Sequence, residues 1–256
     1  MSTLIYSQHE QGTPEWIEER RGVITGSCFK MARDYSDGLT DQQRKYWKAI
    51  VEQGMDEAQA REAAGYKAAP KSEALSKALA SRKLEKVWGN KALAYAYDLA
   101  RERCGGRAPD KFQTIAMRTG SEQESAARDK YEAKTGNLVE EVGFIHTNDR
   151  CFGVSPDGLI GKEGALEIKT MYSSDTLFKA LVDGDISEYR DQCLGYMWLL
   201  GVQWVDLCLW VYDIGHLKII RIKRDEAEVE QLEEDLQDFA RLVRSYEYRL
   251  TQALAA

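Results

Sequence analysis

The chain has 256 residues, 43% of them hydrophobic, and a formal net charge of −7 at pH 7. This length can bury a full core in one elaborated domain or two, and the chain has no run of about 18 apolar residues that would cross a membrane, so we expect a soluble, cytoplasmic protein. The acidic average argues against loose coating of DNA, although residues 61–118 carry 13 Lys and Arg against 6 Asp and Glu, which is compatible with a basic groove.

The N-terminal segment combines a helix start with a candidate anion pocket. The run Thr13 to Trp16 supplies a capping hydroxyl, a proline in the first turn and an acid near the positive end of the helix dipole. A second helical stretch, Cys28 to Arg33, follows with Ser27 as its predicted N-cap. Free backbone N–H groups, the hydroxyls of Thr25 and Ser27, and the guanidinium of Arg20 are suited to surround a phosphate. The alternative is an ordinary cap beside a surface arginine.

Residues 34–91 differ in composition from the rest of the chain, and their sequence predicts a helical insertion. A polar loop precedes a predicted helix at Gln42 to Gly54, and a run rich in Ala, Lys and Glu follows, broken by Gly65 and Pro70. Short helices joined by turns are also compatible with a small helix-turn-helix module that touches DNA. A solvated insertion is favoured, because charge runs usually solvate a helix face.

Two predicted helices follow the insertion. The first runs from Lys91 to Cys104 and ends at a Gly-Gly pair. The second begins at Gly120-Ser121 and carries Glu124. The spacing of Ser121 and Glu124 matches a capping box, so Glu124 either caps its own helix or faces a site. Alternation from Leu138 to Ile145 predicts a strand.

The stretch from Ser155 to Thr170 has the strongest chemical pattern. Short apolar segments at Cys151 to Val154 and Ala165 to Thr170 predict a β-hairpin with glycines between them. Alternation along a strand places Glu167 and Lys169 on one face, with Asp157 at the end of the paired strand. Converging carboxylates suit Mg²⁺, and a lysine beside the metal can stabilise an anion or help to deprotonate a water.

The same residues have a simpler interpretation. Asp157 can occupy an ordinary Pro-Asp-Gly turn, and Glu167 with Lys169 can form the exposed charged face of an edge strand, while Leu166 and Ile168 point the other way. Spacing alone does not decide between the metal site and the turn.

The C-terminal part predicts a buried sheet and two helices. Tyr189 to Leu200 is helical, with Gln192 on one face as either a core amide or a site residue. Trp204 to Tyr212 predicts a central strand and Leu217 to Ile222 its partner. Apolar residues at three-four spacing from Val229 to Tyr246 predict an amphipathic helix. Strands bracketed by helices indicate an α/β fold.

Several motifs in fixed order together resemble one family. They are Trp16…Arg20-Arg21-Gly22-Val23-Ile24-Thr25-Gly26-Ser27, Gly120…Glu124, Ser155-Pro156-Asp157-Gly158-Leu159…Leu166-Glu167-Ile168-Lys169 and Tyr189…Gln192…Met197-Trp198. The set resembles the phage lambda exonuclease (YqaJ-type viral recombinase) family of the PD-(D/E)XK nucleases.

The resemblance implies a restriction-endonuclease-like α/β core, in which helices flank a central mixed β-sheet, as a single exonuclease domain over residues 1–256 with the helical insertion at about 34–91. It implies degradation of one strand of linear double-stranded DNA from 5′ to 3′, leaving 3′ overhangs for recombination. Two Mg²⁺ ions are implied, with Mn²⁺ able to substitute. The implied partners are DNA ends, a single-strand annealing protein and two further copies in a ring-shaped homotrimer, within a bacterial cytoplasm.

The resemblance also implies residue roles. The implied metal ligands are Glu124, Asp157, Glu167 and the carbonyl of Ile168. Lys169 and Gln192 are implied to position and activate the attacking water. The implied pocket for the 5′-phosphate comprises Arg20, Thr25 and Ser27.

Two departures from the family pattern stand out. Residues 34–91 have no clear counterpart in the lambda enzyme. Where that enzyme offers a basic residue to the phosphate, this chain reads Tyr172 to Asp175, and Lys179 is a candidate replacement. The competing functions are a nuclease of the same fold that cuts internally or trims single strands, and a non-cleaving DNA-binding module.

Overall fold

The computed structural model describes residues 3–107 and 115–256, with side chains for 3–107 and 123–256. The chain forms two compact units, one built from Met1–Arg33 with Ala94–Ala256 and the other from Asp34–Leu93.

The described chain contains both strands and helices, and a long helix forms its C-terminal end. The strands are β1 (Leu4–Tyr6), β2 (Ile24–Thr25), β3 (Tyr35–Ser36), β4 (Val87–Trp88), β5 (Ile145–Thr147), β6 (Phe152–Val154), β7 (Gly158–Ile160), β8 (Gly164–Thr170), β9 (Trp204–Val211) and β10 (His216–Lys223). The α-helices are α1 (Pro14–Glu19), α2 (Phe29–Ala32), α3 (Asp41–Val51), α4 (Glu57–Ala63), α5 (Glu73–Ser81), α6 (Asn90–Arg103), α7 (Ile115–Thr135), α8 (Ser174–Leu177), α9 (Ser187–Leu200) and α10 (Glu226–Ala255). A 3₁₀ turn lies at Gly26–Cys28 and a π-helical turn at Phe178–Val182.

The larger unit contains two four-stranded mixed sheets. One has the order β1-β5-β6-β2, and the other has the order β10-β9-β8-β7. In the second sheet β8 and β9 are parallel, whereas β7 and β10 pair antiparallel with their neighbours. The apolar run of β9 therefore lies between β8 and β10, as predicted for a central strand. The α/β fold class with mixed sheets and flanking helices is confirmed.

One face of the second sheet packs against α7. Leu166 and Ile168 of β8 are buried there with Tyr131 of α7 and Trp210 of β9. Burying a side chain such as that of Leu166 stabilises the fold by about 1.5–3 kcal/mol. The opposite side chains of β8 are thus free to serve a site. The predicted apolar stripe of the C-terminal helix is also buried along α10, from Val229 to Val243.

The predicted hairpin has a different first strand. Segment Cys151 to Val154 contributes β6 to the other sheet, and β8 pairs instead with the short strand β7. Pro156 lies between β6 and β7 and has no N–H to donate to a continuous ladder. Gly161, with a φ of 57°, makes the turn between β7 and β8. Asp157 therefore stands at the beginning of the paired strand.

Two other local predictions were wrong. The segment Leu138 to Ile145 is mostly not a strand: within it, Glu140 forms an isolated bridge to Leu159 of β7, and β5 begins at Ile145. The N–H of Val139 donates to the Glu132 side chain and not to a neighbouring strand. Ser27 lies inside the Gly26–Cys28 turn and makes no capping bond.

Helix α7 begins at Ile115, so position 121 lies inside the helix and not at its start. Backbone N–H groups inside a helix already bond within the helix, so the capping-box interpretation of Glu124 is wrong. The Ser121 side chain lies outside the described residues.

The smaller unit has a core of its own. Helices α3, α4 and α5 bury an apolar cluster, in which Trp47 Nε1 donates to the Ala78 carbonyl at 3.0 Å, and β3 and β4 form a two-stranded ribbon. The buried members are Leu39, Tyr46, Trp47, Ala49, Ala60, Ala64, Leu75 and Ala78. The insertion is helical, as the sequence predicts. It also has a buried apolar core, which the prediction of a solvated insertion did not include. Among the described helices, none is long and apolar enough to cross a membrane.

Candidate active site

Strand β8 presents an acid and a lysine on the face opposite Leu166 and Ile168. Lys169 Nζ lies 2.6 Å from Glu167 Oε1, and the Glu167 side chain is only 2% exposed. The two residues share a face because side chains alternate along a strand. Burial opposes the charge of Lys169, but Glu167 and Asp157 outweigh it and raise the pKa of the amine. Lys169 is therefore a firmly protonated cation beside two carboxylates.

Asp157 is held at the start of β7 by the neighbouring strand. Its Oδ2 accepts a hydrogen bond from the Ile168 N–H at 2.5 Å, and its own N–H donates to the Leu166 carbonyl at 3.0 Å. Burial raises the pKa of Asp157 well above its ordinary value, and the charges of Glu167 and Glu124 raise it further. Asp157, Glu167 and Glu124 are therefore close enough to interact electrostatically. The sequence pattern alone did not decide whether these acids meet.

Glu124 reaches this region from α7. Arg128 Nη2 donates to Glu124 Oε1 at 2.8 Å, and the same guanidinium contacts Glu141 at 2.6 Å. Burial raises the pKa of Glu124 against the pull of Arg128, and Glu167 adds to the increase. The helix thus brings a third carboxylate under the influence of β8.

Helix α9 supplies an amide and a phenol to the same face. Gln192 Nε2 donates to Tyr196 Oη at 2.7 Å, and Tyr196 Oη forms a short hydrogen bond to Glu167 Oε2. Tyr196 was not among the predicted site residues. Its spacing of four from Gln192 places both on one helix face, and this is the signal that could have found it.

The predicted phosphate pocket is partly assembled. Arg20 Nη1 lies 3.2 Å from Ser155 Oγ, and Arg20 Nη2 lies 3.4 Å from Ser27 Oγ. The guanidinium also stacks 4.2 Å from the centre of the Trp16 ring. Burial lowers the pKa of Arg20, yet a guanidinium stays charged at any neutral pH. Ser155 was not predicted to contact Arg20, although it lies in the motif that carries Asp157.

Two other candidates for this pocket have different surroundings. Thr25 is 5% exposed, and its N–H donates to Tyr95 Oη at 3.0 Å, so that N–H is already engaged. Lys179 is exposed and pairs with Asp175 at 3.1 Å, one helical turn earlier. The structure therefore brings together Arg20, Ser27 and Ser155 at this pocket.

The chemistry of these residues fits a hard divalent cation. All the implied ligands offer oxygen atoms, which Mg²⁺ prefers, and a cation would relieve the repulsion that raises the pKa of Asp157. Within the part of the chain that is described, no three His, Cys, Asp or Glu side chains stand close enough to hold an ion. Each acid has an internal partner instead: Lys169 and Tyr196 for Glu167, the Ile168 N–H for Asp157, and Arg128 for Glu124.

A separate pocket of about 560 Å³ lies near Gly22 in the larger unit. Its charged lining consists of Arg21, Arg103, Arg150 and Arg244 with Glu18, Glu102, Asp149 and Glu247. Several of these pair with one another, as Arg21 does with Glu18 and Arg103 with Glu247. Because the opposite charges balance, this pocket lacks the excess of positive charge that a phosphate site needs.

Comparisons with solved structures find similar chains. The structure resembles an alkaline exonuclease, LHK-Exo, from Laribacter hongkongensis, with a TM-score of 0.66 and 24% identity over 95% of this chain and 98% of that chain. It resembles the same exonuclease in complex with dAMP, with a TM-score of 0.62 and 25% identity over the same shares. A phage-related exonuclease from Haemophilus somnus 129PT gives a TM-score of 0.47, 16% identity, and coverage of 72% and 90%. No curated protein matched the chain.

The structural matches show a restriction-endonuclease-like fold and, with a matching family model, identify the chain as a nuclease. A family model described as the YqaJ-like viral recombinase domain matches residues 15–203. The chain therefore belongs to the YqaJ-like viral recombinase family, as its motifs predict. Nucleases of this kind generally use divalent metal ions and act on DNA.

Proposed function

We propose that the protein is an Mg²⁺-dependent exonuclease that degrades one strand of linear double-stranded DNA from 5′ to 3′ and leaves 3′ overhangs for phage-type recombination. One observation carries the proposal. The Glu167–Lys169 pair and the Arg20 guanidinium belong to one hydrogen-bonded region, since Tyr196 contacts both Glu167 and the Ser155 carbonyl while Ser155 Oγ contacts Arg20.

Four groups would hold the metal, namely Glu124, Asp157, Glu167 and the carbonyl of Ile168. Bound Mg²⁺ supplies charge relief to the phosphodiester and lowers the pKa of a ligated water. Lys169 is held as a cation by Glu167 and is suited to stabilise negative charge that develops on the phosphate. Gln192, whose amide donates to Tyr196, would orient the attacking water.

Direction along the strand would come from the Arg20 pocket. Arg20 and Ser27 offer charge-assisted hydrogen bonds to a terminal 5′-phosphate, with Thr25 shaping the adjacent wall. Cleavage that leaves a new 5′-phosphate on the remaining strand recreates the group that this pocket binds. Each product is then the next substrate, which favours stepwise digestion from the 5′ end.

The assembly and setting are part of the same proposal. We propose that residues 1–256 act as one exonuclease domain carrying the insertion, as a ring-shaped homotrimer in the bacterial cytoplasm with a single-strand annealing protein as partner. A ring reconciles the net charge of −7 with DNA binding, because only its lumen need be basic. Mn²⁺ is expected to substitute for Mg²⁺, since both accept oxygen ligands.

End-labelled duplex DNA tests the reaction. Linear duplexes with a 5′-phosphate on one strand, on both or on neither are incubated in Mg²⁺, Mn²⁺ or EDTA, beside closed circular duplex. We expect nucleotides to be released only from the phosphorylated strand, with no reaction in EDTA and none on the circle. Cutting of the circle would establish an internal nuclease instead, and full metal-dependent digestion by Lys169→Ala would refute the assigned site.

A further inference from the structure

Tyr196 occupies the junction between the acids and the phosphate pocket. Its side chain is fully buried on α9, and its Oη lies within hydrogen-bond distance of three groups. It forms a short bond to Glu167 Oε2, accepts from Gln192 Nε2 at 2.7 Å, and lies 3.3 Å from the Ser155 carbonyl. No other described hydroxyl contacts Glu167 in this way.

The hydrogen-bond inventory decides what this phenol does. A tyrosine has one O–H hydrogen, and the Gln192 amide fills an acceptor position on its oxygen. The hydrogen therefore goes to one acceptor at a time, and the shorter contact assigns it to Glu167 rather than to the Ser155 carbonyl. Lys169 binds the other oxygen, Oε1, so that both oxygens of the buried carboxylate are tied to side chains.

The tyrosine ring is itself fixed. A Cβ on Gly26 would stand 3.7 Å from Tyr196 Cε1 and 3.1 Å from Val154, so the turn at Gly26–Cys28 lies directly against the ring. A phenol held on one side by backbone and on the other by Gln192 has little freedom to move. Its hydroxyl is consequently a fixed point for orienting Glu167.

We propose that Tyr196 is a positioning residue that holds the plane of the Glu167 carboxylate in the orientation needed for divalent-metal binding. The inference rests on the proposed function for its metal and deepens it by adding a residue outside the implied ligand set. Hydrogen-bond partners of metal-ligating groups typically change metal affinity or activity by 10–100-fold when removed. Tyr196 thereby links metal binding to the segment, Ser155, that contacts Arg20.

The test removes one oxygen atom, with a matched control. Tyr196→Phe keeps the ring against Gly26 but deletes the bond to Glu167. Tyr131→Phe is the control, because Tyr131 is equally buried and donates to another buried carboxylate, Asp206 Oδ2, at 2.7 Å. Binding of Mn²⁺ and Mg²⁺ to the full chain without DNA is measured by calorimetry, together with thermal unfolding and the metal dependence of digestion.

We expect Tyr196→Phe to weaken metal binding by about 10-fold or more and to raise the Mg²⁺ concentration for half-maximal digestion by a similar factor. Tyr131→Phe should leave both unchanged while lowering the melting temperature about as much as Tyr196→Phe. Equal metal binding by Tyr196→Phe and the wild type would overturn the inference, as would an equal loss in Tyr131→Phe. If the wild type binds metal and Tyr196→Phe binds it weakly but neither digests DNA, the proposed function fails and the positioning role stands.

Discussion

Three carboxylates, those of Glu124, Asp157 and Glu167, lie close enough for their negative charges to repel one another. Asp157 has a raised pKa because it is shielded from water and stands near Glu167 and Glu124. Ionising these acids costs folding free energy when Lys169 and Arg128 are the cations beside them and no metal ion is bound. The repulsion between these acids lowers the stability of the metal-free protein, and a bound cation would reduce it. Sites that bind ligands often have such a cost in stability.

The stability of the metal-free protein should depend on pH in a defined direction. An acid whose pKa is higher in the folded than in the unfolded state binds its proton more tightly when folded. For Asp157 and Glu124, stability is therefore greatest when both are protonated and falls as pH rises from the ordinary carboxyl range through their raised pKa values. Melting temperatures recorded in EDTA should decline over this window, and added Mg²⁺ should reduce the decline. A rise in stability over the same window would contradict the sign.

Removing the charge of Asp157 should separate stability from activity. In Asp157→Asn the side-chain oxygen can still accept from the Ile168 N–H, while the repulsion from Glu167 disappears. We expect the metal-free variant to gain about 1 kcal/mol, seen as roughly 2–4 °C in melting temperature. Digestion should fall to background. Loss of both stability and activity would indicate that Asp157 is mainly structural.

Arg20 should decide the preference for phosphorylated ends. Arg20→Ala removes the guanidinium that contacts Ser27 and Ser155. We expect kcat/KM on 5′-phosphorylated duplex to fall by about 10–100-fold, since a charge-assisted bond contributes about 1.5–3 kcal/mol, whereas the rate on 5′-hydroxyl duplex changes little. Arg21→Ala is the matched control, because Arg21 pairs with the exposed Glu18. An equal effect of both variants would remove the assignment.

At the scale of elements, residues 34–93 form a unit with its own interior. We expect this segment, produced alone, to give a helical circular dichroism spectrum and a cooperative thermal transition, because α3, α4 and α5 bury their own cluster. A 60-residue domain is marginal, so Leu75→Ala, which costs about 2–5 kcal/mol, should abolish the transition. Val87→Ala is the control, since Val87 is 55% exposed. A segment that is unfolded alone would show that the unit depends on the rest of the chain.

At the scale of the whole molecule, the charge distribution bears on assembly. The net charge is −7, yet residues 61–118 carry 13 basic and 6 acidic residues. We expect light scattering coupled to gel filtration to give the mass of three chains, and DNA binding to weaken steeply with salt, because phosphate contacts release counterions. A monomer at micromolar concentration that digests DNA fully would refute the ring.

Local periodicity was enough to predict which side chains share a face of a strand or a helix. The alternation of β8 predicts that Glu167 and Lys169 lie together, and their side chains are in contact in the structure. The apolar run of β9 predicts its central position, and the three-four spacing of α10 predicts its buried stripe. These features depend only on the geometry of a strand or a helix, which neighbouring residues specify.

Other features were decided only by the tertiary structure. Pairing of β8 with β7 rather than β6, the bond from Tyr196 to Glu167, and the contact of Arg20 with Ser155 join segments whose approach depends on register and packing. The last pair is 135 residues apart in the chain. No local repeat encodes such contacts, because the free energy that selects them comes from burying the whole core at once. The sequence therefore determined the chemical groups and their local faces, and the fold determined which groups meet.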